Sequence, residues 1–313
     1  MFARAARALR DPGSSTIDAR RASLGILAAF LAPALLIYAG FTIYPVIRTF
    51  YNAFFTIKPQ GVVDFVGFGN FTALLFADPT FWKAVTNTAL FTIVATIVDV
   101  IGGLLLALVL FARAPLAPLL RVVWFTPVLM SYVVVGIIWV WMYDYDWGLA
   151  NATLRWLGLG GWEQSWLGQP STALWSVLAA HEWKWLSFNM IVFLAALHAL
   201  PGEVLGAAEL DNCGWLAKLV YIIVPMLRTT VVNLTVLSFI GKMMVFDLIW
   251  VMTGGGPLWA TETVSTYVYK RAFEWNTFDL GYPSAIAVLW FIIILAFIAI
   301  ITRVFRQRDK LEF

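Results

Sequence analysis

Six apolar stretches, roughly 23–47, 85–112, 117–143, 172–200, 226–253 and 284–304, dominate the chain. Each is long enough to cross a bilayer core as a helix, which takes about 20 residues. Backbone N–H and C=O groups in hydrocarbon have no water to bond, so such stretches must satisfy them internally as α-helix. Composition agrees, with 61% apolar and only 12% charged residues, against about 25% charged in a soluble domain. The expectation is an all-α membrane protein with six transmembrane helices over residues 23–305, a polar N-terminal segment 1–22 and a short tail 306–313.

Basic residues orient these spans. One side carries Arg4, Arg7, Arg10, Arg20, Arg21, Arg113, Arg121, Lys218, Arg228, Arg303, Arg306, Arg308 and Lys310; the other carries Arg48, Lys58, Lys83, Arg155, Lys270 and Arg271. The positive-inside rule then puts both termini in the cytoplasm, and with them residues 201–225. The basic pI near 9.0 is therefore a signal of topology and not of nucleic-acid binding. The outer segments 48–84 and 144–171 are aromatic, with Tyr51, Trp82, Tyr143, Tyr145, Trp147, Trp156, Trp162 and Trp166. They read as an interfacial belt or as a platform for an external partner. The polar, Arg-rich N-terminus has no small-residue cleavage site after its apolar run, and reads as cytoplasmic rather than as a cleavable signal.

Several chemistries are excluded. The single cysteine, Cys213, cannot form an internal disulfide, and His181 and His198 show no metal-ligand spacing. No metal site is expected. No P-loop exists either: the one Gly-Lys pair, Gly241-Lys242, lies inside a span and is followed by Met243. The run Gly254-Gly255-Gly256 reads as a flexible helix exit stopped by Pro257. The chain is expected to be no enzyme and to carry no cofactor of its own.

Charges within spans are costly and by default mark a pathway or a pair. Span four carries His181, Glu182, Lys184, Ser187 and Asn189, with Glu182 and Asn189 on one face; span five carries Asn233, Thr235, Ser238, Lys242 and Asp247, with Thr235, Ser238 and Lys242 on one face. Lys184 and Lys242 both fall near mid-membrane. Glu182, Lys184, Asn189, Thr235, Ser238, Lys242 and Asp247 are therefore candidates for a polar solute pathway. A structural Glu182–Lys242 or Glu182–Lys184 pair is the alternative, as are contacts to a second subunit.

The polar segment PGEVLGAAELDNCGWLAKLVYIIVP, Pro201 to Pro225, is too long and too amphipathic for an ordinary connection. It resembles the EAA loop of ABC-importer permeases, with Pro201, Glu203, Ala207, Ala208, Asp211, Ile222 and Pro225 in register. Gly206 stands where that family usually has Glu, and Asn212 where it usually has Gly; Asn tolerates the left-handed turn conformation. The resemblance extends over residues 24–305 through Tyr44-Pro45, FVGFGNF (65–71), DPTFWKAVTNT (78–88), RVVWFTP (121–127), Trp139, GLAN (148–151), Trp166-Leu167, FDLIWVMTGGGP (246–257), Thr261-Glu262-Thr263 and Ala272-Phe273. Pro283 departs from a usual glycine and is expected to start the sixth span.

This resemblance to carbohydrate-type permeases of the maltose and sn-glycerol-3-phosphate kind implies the type I importer (MetI-like) fold. It also implies a bacterial inner-membrane location, a second related permease subunit, two ATPase subunits that bind the ATP and Mg, and a periplasmic or lipid-anchored solute-binding protein. The coupling residues it implies are Glu203, Leu205, Gly206, Ala207, Ala208, Leu210, Asp211 and Asn212, with Asp211 expected to cap the following helix. The solute class it implies is a sugar or polyol, with glycerol-phosphate compounds as the alternative. An ion-driven secondary transporter is the rival reading, although neither an inverted repeat nor a clear pair of interrupted spans is evident. A non-transport scaffold is the second rival, and the intramembrane charges argue against it.

Overall fold

The structure, a computed structural model, describes residues 26–27, 29–57, 63–112, 117–275 and 279–306. The expected N-terminal segment 1–22 and the tail beyond residue 306 lie outside the described residues. Three helices are long and apolar enough to span singly: α1 (Ala29–Asn52), α3 (Pro79–Phe111) and the last helix, over Gly281–Arg303. Three further candidates are bent pairs. α4 (Pro118–Leu129) and α5 (Tyr132–Met142) meet at 104°, α7 (Ala173–His198) and α8 (Gly202–Leu210) at 78°, and α9 (Trp215–Met226) and α10 (Arg228–Met243) at 72°. Shorter helices complete the chain: α2 (Gly69–Ala77), α6 (Leu149–Trp156), α11 (Asp247–Thr253) and α12 (Val264–Tyr269), ahead of α13 (Gly281–Arg306).

Local chemistry explains most of the boundaries. α3 starts at Pro79, whose missing N–H costs nothing in a first turn, while Asp78 Oδ1 accepts from Phe81 N at 3.0 Å. The third span breaks after a tight turn at Thr126–Leu129 that contains Pro127, and α5 restarts with Ser131 Oγ accepting from Val134 N. Pro201 separates α7 from α8 in the same way, because the residue before a proline avoids the helical region. α13 carries Pro283 in its first turn, as expected.

Two expectations need correcting. The first span does not end near residue 47. A wider π turn at Ala39–Ile43 absorbs the lost hydrogen bond of Pro45, and the helix runs on to Asn52. The fifth span is not continuous to 253. α10 ends at Met243, and α11 begins at Asp247 with the side chain of Asp247 exposed.

Packing divides the molecule along its length. Phe91, Ala95, Val135, Val177, Leu178, Leu248 and Ile249 form one buried cluster between α3, α5, α7 and α11. Toward the other end of α3 and α7, Ala107, Leu108, Met190, Phe193, Leu197, Ile223 and Leu234 form a second, against which Leu205 of α8 packs. α3 and α7 approach closely because Gly103 lacks a side chain: a Cβ there would sit 2.7 Å from Asn189 Cβ. Small residues at such contacts let membrane helices pack backbone to backbone. At the end opposite α8, a two-stranded hairpin pairs Phe55 with Phe65 and Ile57 with Val63, and Asp279 Oδ1 ties it to α13 by accepting from Ile57 N and Gly281 N.

Between α11 and α12 the chain folds back on itself. Glu262 and Lys270 form a buried ion pair at 2.5 Å, Asn87 Nδ2 donates to the carbonyls of Trp259 and Glu262, and Thr263 caps α12 in a reciprocal capping box. The glycine run expected as a flexible exit is thus part of a built loop. Beside it, Asp78 Oδ2 accepts from Tyr267 Oη at 2.5 Å and Tyr282 Oη at 2.6 Å, which joins the start of α3 to α12 and α13.

Candidate functional site

A polar chamber of about 250 Å³ lies in the interval between the two main apolar clusters. Asp99 of α3, Tyr132 of α5, His181, Trp185 and Asn189 of α7, and Ser238 and Lys242 of α10 line it. Four spans therefore meet there, and its aromatic walls face a small set of polar groups.

The central contact joins α3 to α10. Lys242 Nζ donates to Asp99 Oδ2, and Ser238 Oγ donates to the same oxygen at 3.0 Å. Asp99 and Lys242 are 1% and 3% exposed. A buried charge survives in such surroundings only if paired, since each uncompensated ion costs several kcal/mol. Asp99 sits on a π turn at Val98–Gly102, a distortion that often marks functional sites. His181 Nδ1 lies 3.0 Å from Glu182 Oε1, while Glu182 Oε2 and Asp99 Oδ1 are buried without a hydrogen-bond partner. Asn189 Oδ1 is buried without a hydrogen-bond donor, although buried amide oxygens are normally satisfied.

The sequence-expected pathway residues divide into two groups. Lys242, Ser238 and Asn189 line the chamber, and Glu182, paired with His181, does not. Thr235, Lys184 and Asp247 do not line it. Thr235 Oγ1 bonds back to Val231 O at 2.7 Å within its own helix. Lys184 Nζ donates to Pro127 O, Val128 O and Met130 O at 3.2, 2.9 and 2.6 Å, at the break in the third span. Asp247 is exposed in the first turn of α11. Neither pairing expected for Glu182 forms: Lys242 takes Asp99 and Lys184 takes backbone carbonyls. Asp99 escaped the sequence reading, although it is the lone acid of the most apolar stretch of α3, and that isolation was its signal.

The second candidate element is the helical hairpin α8–α9. Asn212 adopts the left-handed conformation at φ 50°, as its place in the motif requires. Cys213 N then bonds Ala208 O and Asn212 N bonds Glu209 O, closing the helix end. Glu209 accepts from Lys218 at 2.7 Å across the turn, and that hydrogen bond, with the ammonium charge, holds its carboxyl below the usual range. Glu203, Ala207, Leu210 and Asp211 face outward, and Gly206 has open space where a side chain would stand.

Two residues of the expected coupling set, Leu205 and Ala208, turn toward the bundle. Leu205 packs on the chain's own core and Ala208 is 5% exposed, because the helix must bury one face against the bundle. Asp211 does not cap the next helix. It ends α8, and Gly214 occupies the N-cap of α9. Trp215, Leu216 and Tyr221 of α9 are exposed apolar side chains, as Leu210 is, a feature the motif alone did not indicate.

Apolar spans around a polar mid-depth chamber, with an amphipathic hairpin projecting at one end, define a membrane transport subunit. Residues 99–310 match the model of the family described as binding-protein-dependent transport system inner membrane component. The trehalose/maltose transport system permease protein MalF of Thermococcus litoralis is 32% identical over 298 residues, covering 94% of this chain and 98% of that protein. The sulfoquinovosyl glycerol transport system permease protein SmoG of Agrobacterium fabrum is 32% identical over 285 residues, covering 89% and 90%. A chain of a bacterial alginate ABC transporter, solved with an alginate pentasaccharide-bound periplasmic protein, superposes with a TM-score of 0.80 at 22% identity, covering 94% of this chain and 97% of that one.

The chain belongs to the family of binding-protein-dependent transport system inner membrane components. It has the MetI-like permease fold and is the transmembrane subunit of an ABC importer.

Proposed function

We propose that this permease forms half of the translocation path for a neutral, hydroxyl-rich solute, a sugar or a related polyol, and that the α8–α9 hairpin couples it to a separate ATPase. The single observation that carries the solute class is the state of Lys242. Its ammonium is paired with Asp99, so it is no spare cation for a phosphate. Asn189 Oδ1 remains to accept from a solute hydroxyl, the Tyr132 O–H, whose oxygen accepts from Trp185 Nε1, remains to donate, and the Tyr132, Trp185 and Phe188 rings supply faces for a pyranose. This favours a sugar over a glycerol-phosphate compound. The relatives named for trehalose/maltose and sulfoquinovosyl glycerol support a carbohydrate.

The partners follow from what the chain lacks and exposes. A chamber of about 250 Å³ is below the range of about 300–1,000 Å³ usual for a complete ligand site, and Leu237 and Gly241 at its lip are exposed. A second, related permease would complete it. With no P-loop, ATP and Mg belong to two ATPase subunits, received by the exposed face of Glu203, Ala207, Leu210 and Asp211. Leu205 and Ala208 anchor that face from behind. A periplasmic or lipid-anchored binding protein would deliver solute at the β-hairpin end, opposite α8. Both termini and α8 would then be cytoplasmic, and residues 144–171 outside, in a bacterial inner membrane.

The test is uptake into proteoliposomes holding the permease pair, the ATPase and the binding protein. Uptake must require ATP and the ATPase and must ignore ionophores. Uptake driven by an ion gradient without ATP refutes the assignment, and competition by a glycerol phosphate but by no sugar refutes the solute class.

A further inference from the structure

The break in the third span brings three carbonyl oxygens, from Pro127, Val128 and Met130, to one point inside the protein. Carbonyls at a helix C-terminus carry partial negative charge. Broken helices in ion-driven transporters use such carbonyls to bind a sodium ion or a proton. Here the point is filled by the ammonium of Lys184, a residue 3% exposed, at 3.2, 2.9 and 2.6 Å from the three oxygens.

The same ammonium lies over two rings, 5.2 Å from the centroid of Tyr132 and 5.6 Å from that of Trp185. Those rings are joined by a hydrogen bond from Trp185 Nε1 to Tyr132 Oη, and both line the chamber. The geometry points to Lys184 as a positioning residue: a tethered cation that takes the place of a coupling ion at the broken span and holds the two aromatic walls of the chamber in place for solute. It acts through Tyr132 and Trp185, since it does not itself line the chamber.

This rests on the chamber being the solute path, and the test separates the two claims. In the reconstituted transporter, Lys184→Ala leaves a gap that n-propylammonium fits and n-propanol fills without charge. Removing hydrogen bonds to a charged group weakens the wall, and the uptake KM of Lys184→Ala is expected to rise about tenfold at similar complex yield. Propylammonium returns KM toward the wild-type value, and propanol does not. Lys184→Met, neutral and of similar length, raises KM as Lys184→Ala does. An unchanged KM in either variant, or equal rescue by alcohol and amine, overturns the proposal.

If Lys184→Ala does not assemble, the same comparison is read on the yield of complex made by cell-free synthesis into vesicles. Equal yields with amine and alcohol overturn the proposal there. Asn189→Ala is the control, since Asn189 lines the chamber and is not among the hydrogen-bond partners of Lys184. A KM shift in Asn189→Ala with none in the Lys184 variants defeats this inference alone, and no shift in any of them defeats the chamber reading.

Discussion

Asp99 on the second span and Lys242 on the fifth form a buried ion pair that Ser238 completes by donating to the same carboxylate oxygen. It couples two helices that share few other polar contacts, at the depth where the chamber opens. Removing one partner strands the other charge, at a cost of roughly 3–5 kcal/mol. Asp99→Asn and Lys242→Met are each expected to lower the yield of assembled complex sharply. The double variant should recover assembly while changing uptake per complex. A double variant no better assembled than the singles would remove the pairing explanation. Normal uptake per complex in it would take both residues off the solute path.

Gly103 lies where the second and fourth spans meet, with room for no side chain against Asn189. Gly103→Ala is expected to push α3 from α7 and to destabilise the subunit by about 1–3 kcal/mol, the usual cost of overpacking. Thermal unfolding in detergent measures it. Because Asn189 lines the chamber, uptake KM should also rise. A thermal midpoint equal to that of the wild type would show that the contact relaxes freely.

Asp78 holds the hairpin end together through the Tyr267 and Tyr282 hydroxyls. Burial pushes its pKa up, but the tyrosine hydroxyls, Phe81 N and the Arg271 charge outweigh that and hold it below the ordinary value of 3.8. A depressed folded-state pKa contributes stability that is complete above the unfolded value and lost as pH falls through the folded one. The stability margin of the wild type over Asp78→Asn should therefore stay level at neutral pH and narrow only below about 3.8. Melting curves across that range test it, and a margin that narrows already near neutral pH contradicts the assignment.

The spans were legible because hydrocarbon admits so little besides helix: α3, α7 and α13 follow directly from apolar length and flanking charge. The breaks were less so. Pro127 and Pro225 are visible in the sequence, but prolines are tolerated within membrane helices, so only tertiary structure shows that the third span turns by 104° there. Pairing was the least legible. Lys242 and Asp99 are 143 positions apart, and helical periodicity relates residues within one helix, not across two. The α8–α9 hairpin was legible as a motif, and Asn212 took the predicted conformation. Which of its residues face the bundle depended on how α8 lies against Leu197 and Leu200, which no local pattern encodes.

That orientation yields a paired test of the hairpin. Ala207 is exposed, and its neighbour Ala208 is 5% exposed against the chain's own core. Arginine at the two positions should fail in different ways. Ala208→Arg buries an unpaired charge within the subunit, at a cost of several kcal/mol, and should lower permease yield whether or not the ATPase is co-expressed. Ala207→Arg leaves the permease fold intact and adds bulk and charge to the outward face, so the permease pair should accumulate normally but fail to retain the ATPase on purification. Gly206→Ala is the converse, because its Cβ meets open space and replacing a mid-helix glycine gains about 0.5–1 kcal/mol of helix stability. It should keep ATPase binding and raise the thermal midpoint. Loss of the ATPase in Ala208→Arg at full permease yield, together with its retention in Ala207→Arg, would reverse the assignment of the two faces.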